Sequence, residues 1–520
     1  MGWQVRASVQ GGRRLAPADL EEYRAAATAL DDAGDRLRAR SETWTTTMIR
    51  LRAQRADVPL CPAISGHASP AGHEMLPYDA LGSECERHAA SCERVGEELK
   101  AMAALLVRAH QLYEEAESNA RRTVTELVQA GVQLKPSYAA AGTAALAAGG
   151  LVVGSIKEGR LNPIHALDAT AWAQEGLMSG AGALVGGVAP GKGVARTDEV
   201  NTAAGRIATV SAPVHGAIQG SALTVREVTA RTDVVRASSS VAESLENLRR
   251  LAEERLGKID LDSGLSYATI AVQRYRQPDG SSSWLVTIPG TDGKANSPFG
   301  WPQNVELMSS DAERRRQADS ARMVVEAMEM AGIPDDEPVA LIGHSQGGIV
   351  AAAVAADQAD RFDIRHVVTA GSPVANHPIP DKTWVTSIEI DDELVAALDG
   401  AQNPVTDTWL TVRGTTSPAP AEAAGPSDAT PYGAAPTPYD AAPVADSLEG
   451  KEITHWLKYH QAAYRNATDL GSPAVAAHEE HFAGIVTGDL AETRYFEGRM
   501  QQGADLAPAK TDPPRPLVPG

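Results

Sequence analysis

The stretch VALIGHSQGGIVAAAVA, residues 339–355, decides how the rest of the chain is read. Val339 to Ile342 form the short, wholly apolar run expected of a strand buried on both faces. Gly343-His344-Ser345-Gln346-Gly347 follows, and then enough small and apolar residues for a helix. A strand, a tight turn with one serine at its apex, and a helix make a nucleophile elbow. The pattern G-x-S-x-G has only three fixed letters in a chain with 46 glycines, so the surrounding elements must carry the assignment. Gly343, Gly347 and Gly348 stand where a Cβ would collide within such a turn. The N–H of Gln346, at the positive end of the helix, is placed to hold an oxyanion. Ser345 is thereby read as a nucleophile.

The context is that of an α/β sheet. Upstream, two β-rich runs flank Gln277-Pro278-Asp279-Gly280, a turn signature, and predict a hairpin whose second strand ends in Pro289-Gly290-Thr291. The segment SSDAERRRQADSARMVVEAMEMAGI (309–333) reads as an amphipathic helix with Ala321, Val324, Val325 and Met328 facing inward. Downstream, IRHVVTAGSPV, WVTSIEI and TWLTVRG (408–414) read as further strands. A helix starts near Ser239, with serines as caps and Glu243 in its first turn. Strands alternating with helices on this scale predict an open, mostly parallel sheet.

From about residue 240 to 465 the chain resembles the α/β-hydrolase superfamily, in particular lipase- and esterase-like members that carry a P-G-T stretch where Pro289-Gly290-Thr291 stands here. The resemblance implies a carboxylic ester hydrolase acting on lipid or phospholipid esters through an acyl-enzyme. It also implies that Thr291 supplies the second oxyanion donor. Asn304, in GWPQNVEL, belongs to the same likeness without an assigned role. No metal or organic cofactor is required by this chemistry.

A serine nucleophile needs a base, and the base an orienting acid. In this fold the order along the chain is serine, acid, histidine. SIEIDDELVAALDG (387–400) puts Asp391, Asp392 and Glu393 at a strand end. Measured from the strand, Asp392 is the acid; counted back from Leu394-Val395, Glu393 serves. Asp392 is the choice. The histidine must follow the last strand. His455, at the start of the helix in EITHWLKYHQAAYRNAT, leads; His460 is the runner-up, and His478 and His481 read as lying on a distal helix. His344 is locked in the elbow and His377 precedes the acid.

The N-terminal part reads differently. From Pro17 to Arg55 apolar residues recur at steps of three and four through Leu20, Tyr23, Ala27, Leu30, Leu37, Trp44, Met48 and Leu51. A second seam runs through Cys85, His88, Cys92, Val95, Leu99, Met102, Leu106, Ala109 and Tyr113. Two long helices joined by a Pro/Gly loop predict an all-α hairpin. This hairpin resembles the WXG100-type modules of type VII secretion substrates, with Tyr113-Glu114-Glu115-Ala116-Glu117 matching their Y-x-x-x-[DE] signal; Trp44, followed by Thr45-Thr46, departs from their W-x-G. The resemblance implies a helical secretion partner or chaperone through residues 17–134 and export by a type VII route. Without it, membrane association or a cytoplasmic place are the remaining expectations. The first residues, MGWQVRASVQGGRR, have no apolar core of a cleavable secretory signal.

Composition narrows the rest. The net charge of −20, from 67 acidic against 47 basic residues, repels phosphate backbones and argues against nucleic-acid binding. Ala and Gly abundance suggests a high-GC bacterium. The three cysteines, Cys61, Cys85 and Cys92, have no metal-ligand spacing and read as small buried thiols. Two uncharged small-residue stretches, 138–155 and 176–191, predict a helical hairpin that is buried or enters a membrane transiently through 138–191.

The resulting division is a hairpin at 1–134, an Ala/Gly-rich hairpin and connector at 135–235, an α/β-hydrolase domain at 236–500 with a flexible insertion at 415–447, and a disordered tail at 501–520. Two rival readings stand beside the esterase: an acyltransferase on the same triad, and a secreted or membrane-associated interaction protein with a degenerate hydrolase domain.

Overall fold

The computed structural model describes residues 2–12, 17–56, 77–112, 136–162, 199–419 and 441–502, with isolated positions between 128 and 181. Tyr113 to Glu117, Cys61, residues 420–440 of the insertion and the tail from 503 lie outside the described residues. The chain divides into two compact units, Leu15–Glu114 and a larger one built from Met1–Arg14 and Glu115–Gly520.

The smaller unit packs helix α1 (Pro17–Ala56) against α2 (Tyr78–Leu112). Along its seam Ala27 and Cys85 of the predicted stripe are buried together with Ala89, Gly96 and Ala103; Met102 is exposed, and His88, also exposed, stacks on Trp44 with ring centroids 5.0 Å apart. Small side chains let two helix backbones approach closely, and a Cβ on Gly96 would lie 3.1 Å from the Gly34 carbonyl oxygen. Lys100 ties the helices by pairing with Asp31 and Asp35 at 2.9 and 2.7 Å. Cys85 and Cys92 are free thiols.

The larger unit is organised on one sheet of ten strands among the described residues. They are β1 (Trp3–Gly11), β2 (Ala222–Val228), β3 (Thr269–Arg276), β4 (Ser282–Ile288), β5 (Pro338–His344), β6 (Asp363–Ala370), β7 (Trp384–Ile390), β8 (Trp409–Pro418), β9 (Ala442–Pro443) and β10 (Asp489–Gln501), in the spatial order β2-β10-β3-β4-β5-β6-β7-β8-β1-β9. Strands β4 to β8 are parallel; the pairs outside them are antiparallel. The β3–β4 hairpin turns at Gln277–Gly280, with Gly280 at φ 89°.

The parallel strands are buried on both faces, as their continuous apolar runs require. Val339 and Leu341 face a core shared with Met323, Val324 and Val350, while Ala271 faces the opposite layer with Leu251. Helices Asp319–Ala331 and Gln346–Asp357 cover the first face; Val241–Glu254, Leu457–Asp469 and Pro473–Val486 cover the second. The helix from Val241 opens as a capping box: Ser240 Oγ accepts the Glu243 N–H, and Glu243 accepts the Ser239 N–H.

Three of the expected boundaries are corrected by this sheet. Residues 3–11, assigned above to the N-terminal hairpin, are β1 and pair with β8, because Val5, Ala7 and Val9 alternate inward and are buried there. Within the expected connector, Glu199–Gln219 is a helix and Ala222–Val228 pairs with β10. The expected insertion at 415–447 begins inside β8, which runs on to Pro418 against β1, and Ala442–Pro443 returns to the sheet as β9.

Candidate active site

The C-terminal ends of β4 to β8 form one rim, and the sharpest turn on it is at Ser345. Its φ of 54° and ψ of −124° are strained for a residue with a Cβ. The strain is held from several sides. Ser345 N–H donates to the Ala370 carbonyl at 2.9 Å, and Ser372 Oγ donates to the Ser345 carbonyl at 2.9 Å. The neighbouring glycines are demanded by contact: a Cβ on Gly347 would enter the Ile288 carbonyl, one on Gly343 the Gly347 peptide, and one on Gly348 the Ser372 side chain. Strand, turn and helix are thus wedged together with no room for side chains. The Ser345 carbonyl accepts from the N–H groups of Gly348 and Ile349 at 3.0 and 3.2 Å. Gln346 N–H, in the first turn, has no acceptor within its own helix, which is the kind of donor an oxyanion can use.

The end of β4 lies against this turn. A Cβ on Gly290 would come within 3.0 Å of Ser345 Cβ, so Gly290, the residue before Thr291, stands beside the serine. Asn304 Nδ2 donates to Thr291 Oγ1 at 3.5 Å, and Gln346 Nε2 donates to the Gly300 carbonyl at 2.8 Å. The sequence did not single out what secures this segment: Arg255 donates to the Gly290 carbonyl and pairs with Asp292 at 3.5 Å, both side chains being buried. Asp292 also accepts from the N–H groups of Ala268 and Lys294 and from Ser297 Oγ. Burial pulls the Arg255 guanidinium down to about 10 against the opposing pull of Asp292.

On the other side of Ser345 is a buried carboxylate, and it belongs to Glu393. Its Oε2 accepts His455 Nδ1–H at 2.8 Å; its Oε1 accepts the Ile390 N–H at 3.0 Å; and both oxygens lie 3.1 Å from His460 Nε2. Although burial alone would raise it, the imidazoles of His460 and His455 hold this carboxyl far below the usual carboxylate range. Asp392, the acid chosen from sequence, is corrected by the structure. Its carboxylate pairs with Lys451 Nζ at 2.5 Å and accepts from Thr416 Oγ1 at 2.9 Å, away from the histidines. The turn after β7 explains the difference. Glu393 N–H returns to the Ile390 carbonyl at 3.1 Å, which folds the longer Glu393 side chain back beneath the strand end while Asp392 leans toward β8. Asp391 accepts from Thr415 Oγ1 at 2.6 Å.

His455 is one-fifth exposed and its ring lies 4.7 Å, centroid to centroid, from that of His344. His344 Nε2 donates to the His455 carbonyl at 2.9 Å; burial, then the neighbouring His455 and His460, push its pKa well down, so it stays neutral. Among the described residues no hydrogen bond joins Ser345 Oγ to His455. Gly371, at φ 58°, floors the cluster: a Cβ there would sit 2.8 Å from Glu393 Oε2, His455 Nδ1 and His460 Nε2 alike. These three side chains present ligand atoms within 4.8 Å of one another, a set able to hold a divalent ion. Their mutual hydrogen bonds satisfy the same atoms.

The other histidines weighed as bases lie elsewhere. His478 and His481 are on the helix Pro473–Val486 and meet His366 and Trp384, at the starts of β6 and β7 and so at the end of the sheet opposite Ser345. His377 is buried against the Leu307 carbonyl at 3.1 Å.

Residues 313–401 match the family model of the PGAP1-like alpha/beta domain, a span holding the serine elbow and Glu393. No curated protein and no solved structure matches the chain. The matched span and the sheet that contains it give this chain an α/β-hydrolase-like domain.

Proposed function

We propose that the larger unit is a serine hydrolase that cleaves carboxylic esters of lipids or phospholipids by way of Ser345, His455 and Glu393. The observation that carries this reading is the strained serine elbow sharing one sheet rim with a buried Glu393–His455 pair. Glu393 holds His455 with its proton on Nδ1, leaving Nε2 to take the hydroxyl proton. The alkoxide attacks the ester carbonyl while the N–H groups of Gln346 and Thr291 hold the oxyanion. His455 then protonates the leaving alcohol, and water, activated by the same imidazole, releases the acid. Hydrogen bonds of this kind commonly tighten only in the substrate complex, which is how the Ser345–His455 contact closes in this scheme.

A lipid substrate is favoured by the apolar surroundings. Trp301, which follows the Gly300 carbonyl held by the Gln346 side chain, is 73% exposed, and Leu448, Ile453 and Trp456, in the segment that carries His455, are exposed as well. Within the helix Pro136–Glu158, Ala139–Lys157 is long and apolar enough to cross a membrane, and none of its apolar window is buried. Asn162, just past that helix, donates to the Lys451 carbonyl at 2.9 Å, four residues before His455.

The test is a fluorophosphonate probe on the full chain, followed by a p-nitrophenyl ester series of increasing chain length. Labelling of the wild type but not of Ser345→Ala, with hydrolysis favouring longer acyl chains, is the expected result. An unlabelled wild type overturns the hydrolase reading in favour of an interaction protein. Transfer to an added alcohol outrunning hydrolysis replaces it by an acyltransferase.

A further inference from the structure

The helix Pro136–Glu158 carries more apolar surface than the fold covers. One stripe of it, Thr143, Ala147, Gly150, Leu151 and Gly154 at steps of three and four, is half-buried. A Cβ on Gly150 would strike Ala169, and one on Gly154 the His165 ring, so small residues let those later positions approach this stripe closely. The rest of the circumference is open. Leu146, Val152, Val153 and Ile156 are exposed, and Leu161, just past the helix, is 78% exposed. No charged residue lies between Pro136 and Ile156. The stretch Ala139–Lys157 is 19 residues long, none of its apolar window is buried, and it lies far from the N-terminus. It is therefore neither a core helix nor a leader. At 1.5 Å per residue it extends about 28 Å, close to the thickness of bilayer hydrocarbon.

We propose that the open face of this helix docks the larger unit on a zwitterionic lipid bilayer, lying within the near leaflet rather than crossing it. Topology excludes a single crossing. Strand β1 precedes the helix and pairs with β8, and Asn162, just after the helix, donates to the Lys451 carbonyl, so both flanks belong to one body. A second crossing needs another such helix, and among the described residues no other has the length and apolarity. The end of the helix is furnished for a lipid boundary. Trp3, Val153, Lys157, Pro418 and Lys451 line a cavity of about 480 Å³ there, and Trp and Lys are the side chains that settle at head-group level. The apolar surface also continues toward the proposed catalytic rim: exposed Ile453 and Trp456 follow Lys451 by two and five residues, on either side of His455. The net charge of −20 repels anionic lipid, so burial of apolar surface rather than charge attraction has to hold the contact. Docking deepens the hydrolase reading, since it would present bilayer lipids to Ser345, but the contact itself requires no turnover.

The experiment is flotation of the full chain, carrying Ser345→Ala so that lipid is not consumed, with phosphatidylcholine vesicles at about 0.1 M and about 0.5 M salt, the latter screening charge. The expected result is co-flotation at both. Val152→Asp with Ile156→Asp should lower the partition coefficient by about a hundredfold, because two apolar side chains are withheld from lipid. A control with two equal charges elsewhere, Ile49→Asp with Met102→Asp at exposed positions of the smaller unit, should float as the parent does. Thermal melting confirms that each variant is folded. A parent protein that stays with the solution overturns the proposal, as does binding that vanishes at high salt or a control that loses it equally. Sedimentation without lipid covers the other occupant: a dimer that Val152→Asp with Ile156→Asp dissociates, in a protein that ignores vesicles, assigns the face to a second copy of this chain. Docking with no ester hydrolysis by the wild-type protein would sink the hydrolase reading and leave the membrane contact standing.

Discussion

Replacing Glu393 by Gln separates the two carboxyl groups that the sequence could not tell apart. Three N–H groups, from His455, His460 and Ile390, converge on the two Glu393 oxygens. A glutamine of the same size offers one oxygen and one NH2, so at least one of those donors meets another donor. Leaving one buried donor unsatisfied costs about 1–3 kcal/mol of stability. At the start of the reaction the larger effect is on the imidazolium that His455 must become: without the carboxylate its charge is unopposed and its tautomer is no longer held. Loss of the triad acid as its amide costs about 10⁴-fold in kcat, or about 5.5 kcal/mol at 1.36 kcal/mol per decade. Asp392→Asn breaks only the Lys451 pair and should leave kcat within about threefold. The assay is kcat on a p-nitrophenyl ester at pH 8, with thermal melting of both variants to confirm folding. The reasoning is refuted if folded Glu393→Gln keeps more than a tenth of the activity, or if Asp392→Asn is the one that loses a thousandfold.

Gly371→Ala should abolish turnover and lower the melting temperature, because its φ of 58° strains any side chain and the new methyl would sit 2.8 Å from three polar atoms; near-normal kinetics in this variant would show that the cluster can yield. Arg255→Ala should cost about 3–5 kcal/mol in a denaturant titration, since it leaves the buried Asp292 carboxylate without its ion pair; a loss below about 1 kcal/mol would mean the pair is dispensable. Stability should also fall in acid. Burial, with minor help from Arg315, lowers His377 to about 4; burial chiefly lowers His478 to about 3 and pushes His366 well down. The unfolded chain takes up protons near pH 6.5 that these folded histidines refuse. Their contribution is therefore whole above pH 6.5 and is lost as pH falls toward 4 and 3, by up to about 1.4 kcal/mol per pH unit for each group. Melting curves from pH 7.5 to 4.5 test this, and a flat profile would refute it.

Much of the site was legible because its signals are local. The apolar run before Gly343, the glycines around Ser345 and the turn at Gln277–Gly280 are each set by neighbours within a few residues. The steric conflicts that require those glycines involve the same strand, turn and helix that the pattern already implied. The β1 strand was written in the sequence too, as Val5, Ala7 and Val9 alternating with polar residues. Its partner is more than 400 positions away, and nothing near residue 10 says where a short alternating segment will pair. The expected seam of the N-terminal hairpin leaves out Ala89, Gly96 and Ala103, which are buried, for a related reason: apolar spacing marks large residues, whereas two helices also close up along their smallest ones.

By itself, then, the chain determined an elbow, a hairpin and alternating strands and helices, since those follow from steric limits and burial over a handful of positions. Which of three consecutive acids meets a histidine was decided only in three dimensions. Asp391, Asp392 and Glu393 are equally charged and equally placed after a strand. What separates them is a turn that folds Glu393 under Ile390, a lysine 59 residues on that takes Asp392, and two imidazoles at 455 and 460 that require a dehydrated anion between them.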